Sequence, residues 1–254
     1  MKLNELAKTR KGFLILTFIG ILLVFFLWWI ISYSVHSNLF PGPIETFKRF
    51  GELFITPKLY MALGGTLLRL IISLGISFFL ALFLGLFAGL YEWLYIILNP
   101  IVIVLRTLPT AAIIYIMIVL LKPQYALFII TSLMMFPLIY EAIVSGVRKI
   151  DKDIYDALRL DCHKIHPKSL FGIIIPLSRD NLLLGIVQSL GLGMKVSLMA
   201  EVLVGTDTIS GLGRLLYHGY IELDMPTVFA IAVYSIILIG LLDLIVHYLK
   251  KKYN

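Results

Sequence analysis

The chain has 254 residues, of which 60 % are hydrophobic and only 15 % are charged, and its mean hydropathy is +0.97. A water-soluble domain carries roughly 25 % charged residues and leaves much of its surface wet, so soluble enzymes and nucleic-acid-binding modules are excluded and an integral membrane protein is predicted. The formal net charge is +7, but the basic residues cluster beside apolar segments, which indicates membrane topology and no nucleic-acid partner.

Six apolar segments are long enough to span a membrane, because a helix needs about 20 residues to cross roughly 30 Å of hydrocarbon. The first is longer than the core of a signal peptide and lacks a small-residue cleavage site, so we predict that it stays in the membrane. The third contains Pro100 and Pro109, which predict a broken helix. The predicted spans lie at about 13–34, 60–90, 95–121, 124–146, 178–204 and 226–249.

The distribution of lysine and arginine sets the predicted orientation, because these residues are retained on the cytoplasmic side of a membrane. Segments on the side of the N-terminus hold 14 of them, and segments on the other side hold 5. We therefore predict that both termini are cytoplasmic. An amphipathic segment at 39–58 then lies outside, and the longest polar segment, 147–177, lies inside. No linker or clear repeat divides the chain, so residues 1–254 are predicted to form one all-α transmembrane domain.

The second and fifth spans each carry a stripe of small residues at every fourth position, which places them on one helix face. Such stripes let helices approach closely in lipid, and packing alone explains them. Each stripe also contains one charged residue, Arg69 in the second span and Glu201 in the fifth. The stripes consist of Gly65, Arg69, Ser73, Ser77, Ala81, Gly85 and Gly89, and of Gly185, Ser189, Gly193, Ser197, Glu201 and Gly205.

Two further cations, Arg106 and Lys195, lie within apolar spans. A charge inside the bilayer costs at least about 2.5–3.5 kcal/mol, so these residues are expected to face a bundle interior or water. Arg106 is followed by Thr107 and Pro109, and a helix broken at membrane depth is tolerated where it lines protein or a cavity. Two interpretations stay open: a pathway or gate for an anionic or hydrogen-bonding solute, or structural pairing, for example of Glu201 with one of the three cations.

No arrangement of side chains predicts catalysis or metal binding. The segment from Ser189 to Ser197 has the residue types of a phosphate-binding loop but not their order, and it lies in an apolar span. His163 and His166 lack the acidic or thiol partners of a zinc site, and the single cysteine, Cys162, excludes an internal disulfide. We therefore expect a protein that is not an enzyme and that holds no metal or cofactor of its own.

The inside segment at 147–177 is a basic loop in which one short helix is predicted from Asp153 to Leu160 and a second from about Pro167. By composition it either orients the protein or docks a partner. The loop contains, in this order, Asp156-Ala157-Leu158, Cys162 and Ile173-Ile174-Ile175-Pro176. This pattern resembles, in degenerate form, the E-A-A loop of permease subunits of binding-protein-dependent ATP-binding cassette importers.

Further short motifs extend this resemblance over most of residues 39–245, in the order and spacing of the nitrate, sulfonate and taurine branch of these permeases. They are Leu39-Phe40-Pro41-Gly42-Pro43, Thr66-Leu67-Leu68-Arg69, Leu105-Arg106-Thr107-Leu108-Pro109-Thr110-Ala111, Gly146-Val147-Arg148, Ala200-Glu201 and Gly211-Leu212-Gly213. A second candidate for the E-A-A signature, Glu141-Ala142 with Gly146, is set aside because no proline follows it at the required distance.

The resemblance implies the six-helix fold of type I importer permeases, in the inner membrane of a bacterial cell. It implies a pore formed with a second permease copy, expected to be identical, two cytoplasmic ATPase subunits that bind ATP and Mg²⁺, an extracytoplasmic solute-binding protein, and contact with membrane lipid. The loop becomes the coupling helix against the ATPase, with contact residues Asp156, Ala157, Leu158, Cys162, Lys164, Ile165 and Pro176. The residues assigned to a translocation pathway or gate are Arg69, Arg106, Thr107, Pro109, Lys195 and Glu201.

The implied function is the import of a small polar solute, such as a sulfonate, taurine, nitrate or a pyrimidine vitamin precursor. An ion-coupled secondary transporter is the alternative, and it predicts inverted repeats and intramembrane acids. The sequence has no evident repeat, and we count Glu201 as its one clear intramembrane acid. A membrane enzyme is disfavoured because a catalytic arrangement is missing.

Overall fold

The computed structural model describes residues 9–35, 39–150, 170–205 and 209–253, and every regular element in these ranges is helical. A π-helical turn at Leu170–Ile174 and a single α-helical turn at Ile175–Leu177 accompany the longer helices. The longer helices are α1 (Arg10–Val35), α2 (Pro43–Phe54), α3 (Pro57–Leu90), α4 (Glu92–Thr107), α5 (Thr110–Leu120), α6 (Pro123–Arg148), α7 (Arg179–Val204), α8 (Leu212–Ile221) and α9 (Met225–Tyr253).

Five helices, α1, α3, α6, α7 and α9, are long and apolar enough to cross a membrane by themselves, whereas α4 and α5 meet at an angle of 96°. The bend follows from Pro109, which keeps Leu108 extended with a ψ of 136°. Glu92 at the start of α4 is paired with Arg148 at one end of α6, and α5 ends just before the other end of α6. The structure therefore has five spans, or six with α4 and α5 as one broken span, which agrees with the prediction of about six. The break lies at Pro109 alone, because Pro100 is inside α4.

Contacts divide the chain into two compact units. Unit 1 comprises Met1–Thr56 and Leu216–Tyr234, and unit 2 comprises Pro57–Leu215 and Ser235–Asn254. Each unit is formed from two separated segments of the chain, so neither corresponds to a continuous stretch of sequence. The single transmembrane domain over residues 1–254 stays a prediction.

In unit 2, α6 is the central helix, and both α3 and α7 pack along it. Two serines of the α3 stripe donate hydrogen bonds to α6 carbonyl groups, from Ser73 to Phe128 at 3.1 Å and from Ser77 to Ser132 at 2.7 Å. Interhelical hydrogen bonds of this kind hold helices together in lipid, where burial of apolar side chains gives little attraction. The α3 stripe is therefore an interface with α6.

Glycines of both stripes allow the helices to approach closely. A Cβ atom at Gly89 of α3 would lie 2.7 Å from the Val147 side chain of α6. On the α7 stripe, a Cβ atom at Gly193 would lie 2.6 Å from the sulfur of Met135. Both distances are too short for a Cβ atom. A larger residue at Gly89 would therefore force α3 and α6 apart, and one at Gly193 would have to displace the flexible Met135 side chain. The packing interpretation of the stripes is confirmed.

In unit 1, α1 leaves most of its apolar surface exposed, as suits a helix surrounded by lipid. Its contacts concentrate near its C-terminal end. Trp28 Nε1 donates a hydrogen bond to the carbonyl of Pro41, and the Ser32 hydroxyl donates to that of Phe40, each at 3.1 Å. Trp28 also stacks on Phe229, with 5.9 Å between the ring centroids. These contacts anchor α1 beside α2 and the start of α9.

Candidate functional site

A carboxylate buried between α3 and α7 is the centre of a polar cluster in unit 2. The Glu201 side chain on α7 is fully buried and is paired with Nη1 of Arg69 on α3, whose side chain is 8 % exposed. The carboxylate also accepts hydrogen bonds from Thr66 Oγ1 at 3.0 and 3.1 Å and from Ser197 Oγ at 3.2 Å. Each of these partners is a donor, which is the environment that a buried carboxylate requires.

The same cluster fixes the chain that leads into α8. The N–H of Gly213 donates to the carboxylate at 2.8 Å, and the N–H of Leu212 donates to the Thr66 hydroxyl at 2.9 Å. Nη2 of Arg69 donates to the carbonyl of Ser210 at 3.2 Å. Because the first N–H groups of a helix have no partner within it, these bonds satisfy the start of α8 as well as the ion pair.

Glycines make this arrangement possible. A Cβ atom at Gly211 would collide with the Glu201 carboxylate, and one at Gly213 would collide with the Leu198 carbonyl oxygen and the Glu201 Cβ. A Cβ atom at Gly65 would collide with the Ser210 carbonyl oxygen of the same segment. Gly205 ends α7 in the left-handed conformation, with a φ of 57°, where glycine is favoured. Three separate sequence motifs, Thr-Leu-Leu-Arg, Ala-Glu and Gly-Leu-Gly, therefore meet at one site. The pairing partner of Glu201 is Arg69, and a gating role for either residue stays a prediction.

Arg106, at the end of α4, is paired with Glu141 on α6 at 2.6 and 2.7 Å. These side chains are 58 % and 40 % exposed in this chain. The Thr107 hydroxyl donates to the Ile103 carbonyl within α4 at 3.0 Å, and Pro109 directly precedes α5. The pair therefore joins α4 to α6 beside the break in the third span.

The count of one intramembrane acid is wrong, because Glu141 lies within the fourth span and Asp243 within the sixth. The sequence carried the signal, since these acids fall inside the apolar segments predicted at 124–146 and 226–249. A charge within one span favours a partner of opposite sign in a neighbouring span, and Glu141 is such a partner for Arg106.

Lys195 lies on the face of α7 opposite the packed stripe, and its side chain is exposed. No hydrogen bond or ion pair of Lys195 occurs with any residue that the structure describes. Gln188 and Gly191 share its face at helical spacing, and a Cβ atom at Gly191 would meet open space. From Gln188 to Lys195 this face of α7 is therefore polar and unpacked, and the exposed residues Leu184 and Met199 flank it.

Six of the predicted coupling residues lie outside the described ranges, namely Asp156, Ala157, Leu158, Cys162, Lys164 and Ile165. The seventh, Pro176, lies in the helical turn that precedes α7. The two ends of the loop meet closely, because a Cβ atom at Gly146 would lie 2.8 Å from the Cβ of Ser178. Arg148 is fixed beside them by its 2.6 Å ion pair with Glu92. The first and last residues of the loop therefore lie close together in unit 2.

In unit 1, Arg49 on α2 holds the start of α9. Its guanidinium donates to Thr227 Oγ1 and Asp224 Oδ2, each at 2.7 Å, and to Glu52 at 3.1 Å. The pKa of Arg49 is raised, by the hydrogen bond to Glu52 first and then by the charge of Asp224. Burial alone would raise the pKa of Asp224, but the hydrogen bonds from Thr227 and the charge of Arg49 outweigh it and lower that pKa.

We expect this cluster to stabilise the protein at neutral pH and to lose that contribution in acid. Because the folded-state pKa of Asp224 is lowered, its contribution is present above the unfolded value of about 3.8 and disappears as the pH falls through the folded value. Asp224→Asn should cost at most about 1 kcal/mol at neutral pH, since both charged groups are partly exposed. Thermal unfolding in detergent across pH measures this, and a cost that persists in strong acid would contradict it.

Potential metal ligands are scattered through the described part of the chain. No group of three or more His, Cys, Asp or Glu side chains there is close enough to hold a metal ion. The expectation that the chain binds no metal stays a prediction.

Residues 81–254 match the profile of a protein family described as "Binding-protein-dependent transport system inner membrane component". The match covers about two thirds of the chain and includes α4 to α9, with Glu201, Lys195 and the Arg106–Glu141 pair. No curated protein matches the chain.

Proposed function

The chain belongs to the family of inner membrane components of binding-protein-dependent transport systems, and we propose that this permease subunit of an ATP-binding cassette importer conducts a small anionic or hydrogen-bonding solute. Sulfonates, taurine, nitrate and pyrimidine vitamin precursors are the proposed range. The chain is a transport component and not an enzyme. ATP and Mg²⁺ are proposed to bind to a separate ATPase that drives the transport.

The exposed position of Lys195 within a membrane span is the observation that carries the pathway proposal. A cation that faced hydrocarbon would cost at least about 2.5–3.5 kcal/mol, so water or protein must cover this face. The packed stripe of α7 occupies the opposite face. On the exposed face, Gln188, Gly191 and Lys195 form a polar strip between Leu184 and Met199. A cation with no acidic partner among the described residues suits a solute that carries negative charge.

The break in the third span supports a gate beside this pathway. Val102 is the one fully buried residue of α4, so core packing holds this helix weakly. Ion pairs tie its two ends to α6, through Glu92 at the first and Arg106 at the last. Elements with few buried contacts are the ones that open most readily. We propose that α4 moves when the Arg106–Glu141 pair separates, with Thr107 and Pro109 at the hinge.

The loop that leaves α6 is proposed to be the coupling element, with a contact at about 154–168. Its closely spaced ends give the ATPase a rigid attachment to the central helix of unit 2. The excess of basic residues supports a cytoplasmic location for this loop and for both termini. A second copy of the chain is proposed to cover the Lys195 face, and a solute-binding protein delivers the solute on the other side.

We expect Lys195→Met to lower solute uptake at least about tenfold, equivalent to about 1.4 kcal/mol, because the pathway loses its attraction for an anion. Insertion and thermal stability should not change, since the side chain has no described partner. Lys195→Arg should restore most of the uptake. Lys58→Met, at an exposed lysine of α3 outside the apolar core of the span, is the matched control. Uptake of labelled taurine and nitrate into proteoliposomes with the complete transporter measures the effect.

Normal uptake of both solutes by Lys195→Met would remove this residue from the pathway. Uptake that proceeds on an ion gradient without the ATPase would favour the ion-coupled secondary transporter instead. The two results are separable, because the first concerns one side chain and the second concerns the energy source.

A further inference from the structure

The corner between α8 and α9 in unit 1 exposes three large apolar side chains. Tyr220, Ile221 and Leu223 are 61 %, 57 % and 64 % exposed. Leu223 is also the one non-glycine residue in the described part of the chain with a positive φ, 58°. A bulky residue is strained in this left-handed conformation, because its Cβ atom lies too close to the following carbonyl oxygen.

The fold does not require leucine at position 223. Glycine or asparagine adopts the same backbone conformation more readily, and a side chain that is mostly exposed contributes little packing. Strained residues persist where the surrounding structure holds them, and they concentrate at functional sites. The strained backbone therefore does not explain the presence of leucine here, and the exposed apolar side chain itself is the feature to be explained.

A charged pocket of about 500 Å³ adjoins Leu223. Its lining residues are Glu45, Lys48, Arg49, Glu52, Leu223, Asp224 and Pro226. Two interactions hold its walls: Arg49 bonds Asp224, and the Tyr234 hydroxyl donates to the carbonyl of Phe50 at 2.8 Å. A surface fixed in this way loses little conformational entropy when a partner binds.

We propose that this corner surface, defined by Tyr220, Ile221, Leu223 and the adjoining pocket, is the docking site of the solute-binding protein. The inference rests on the proposed function, because the family is named for its dependence on such a protein. The corner follows the fifth span and α2 follows the first, whereas the proposed coupling loop follows the fourth. The surface therefore lies on the opposite side of the membrane from the ATPase.

The charges around the pocket define the chemistry of the partner. The acids are Glu45, Glu52, Glu222 and Asp224, and the bases are Lys48 and Arg49. An excess of acids repels an anionic lipid surface and attracts lysine and arginine at the rim of a protein interface. The three apolar side chains supply the desolvated centre that such an interface needs. The binding protein is therefore expected to offer an apolar depression for Leu223 surrounded by basic side chains.

Leu223→Asn separates the docking role from the fold. Asparagine relieves the backbone strain, so the thermal stability should stay the same or rise, and the basal ATP hydrolysis of the assembled transporter should not change. The concentration of binding protein that gives half-maximal stimulation of ATP hydrolysis should rise about tenfold. Leu223→Gly relieves the same strain and has no side chain, so it should raise this concentration to a similar extent as Leu223→Asn. Ile55→Asn, at a residue 82 % exposed with an ordinary φ of −87°, is the control and should leave that concentration unchanged.

If both Leu223 variants need the same concentration of binding protein for half-maximal stimulation as the wild type, the proposed docking site is wrong. Stimulation of the wild type by the binding protein would still support the proposed function in that case. If Leu223→Asn reduces membrane insertion but leaves docking unchanged, the three apolar side chains contact lipid, and the proposed docking site is likewise wrong. A wild-type transporter that the binding protein does not stimulate contradicts the proposed function itself.

Discussion

Glu201→Gln is expected to destabilise the protein by about 3–5 kcal/mol, because the change leaves the Arg69 guanidinium buried without a counter-charge. The glutamine NH2 would also replace one carboxylate oxygen and so face a donor, either the N–H of Gly213 at the Oε2 position or Arg69 and the Ser197 hydroxyl at the Oε1 position. The start of α8 should loosen together with the ion pair. Thermal unfolding of the purified protein in lipid nanodiscs measures the loss.

Arg69→Met combined with Glu201→Leu should recover much of this stability, since it removes both buried charges. A double-mutant cycle then gives the coupling between the two residues, expected at up to about 3 kcal/mol. Asp224→Asn is the control, because its pair with Arg49 is partly exposed and lies outside the spans, and such a pair contributes about 0–1 kcal/mol. If Glu201→Gln unfolds like the wild type but transports poorly, the buried pair is a gate and not a structural element.

Ala157→Arg is expected to abolish the stimulation of ATP hydrolysis by solute, because it adds bulk and charge to the proposed docking face of the coupling helix. The transmembrane spans are unchanged, so the variant should insert normally and bind its ATPase weakly. Co-purification with the ATPase and solute-stimulated hydrolysis in proteoliposomes are the two readouts. Charged residues nearby, such as Lys164 and Lys168, should affect the rate of association more than the affinity.

Lys250→Ala near the C-terminus is the control for this variant and should have little effect. Wild-type coupling by Ala157→Arg would mean that the ATPase contacts another segment. The segment 141–146 is then the next one to test, although it lies within α6, where Glu141 is paired with Arg106 and Gly146 packs against Ser178. Because the segment 141–146 is already packed within unit 2, we propose the segment 154–168 as the contact with the ATPase.

The spans and their packing faces were predictable because lipid imposes simple constraints on sequence. Hydrocarbon thickness fixes the length of each span, and the stripes at every fourth position mark the faces of α3 and α7 that contact α6. Pro109 likewise placed the break before α5, since the residue before a proline is disfavoured in a helix, whereas Pro100 lies inside α4 without breaking it. In each case, one local rule determines the outcome.

Pairing across spans was not predictable from such local rules. The positions of four charged residues within apolar spans showed that they need polar surroundings, but did not show which cation is paired with which acid. These residues are Arg69, Arg106, Lys195 and Glu201. The position of the Gly211-Leu212-Gly213 segment, whose glycines leave room for the Glu201 carboxylate, depends on the approach of three distant parts of the chain. The strain at Leu223 also left no sequence signal, because leucine is common in apolar segments and rare at positive φ.

ATP hydrolysis by defined mixtures in proteoliposomes tests the central claim most directly. The account predicts no hydrolysis by this chain alone, hydrolysis when the ATPase subunit of its transport system is added, and further stimulation by solute-loaded binding protein. Solute should accumulate only in the complete mixture with ATP. Hydrolysis by the isolated chain, or accumulation of solute without the ATPase, would contradict the assignment of this protein as a permease subunit.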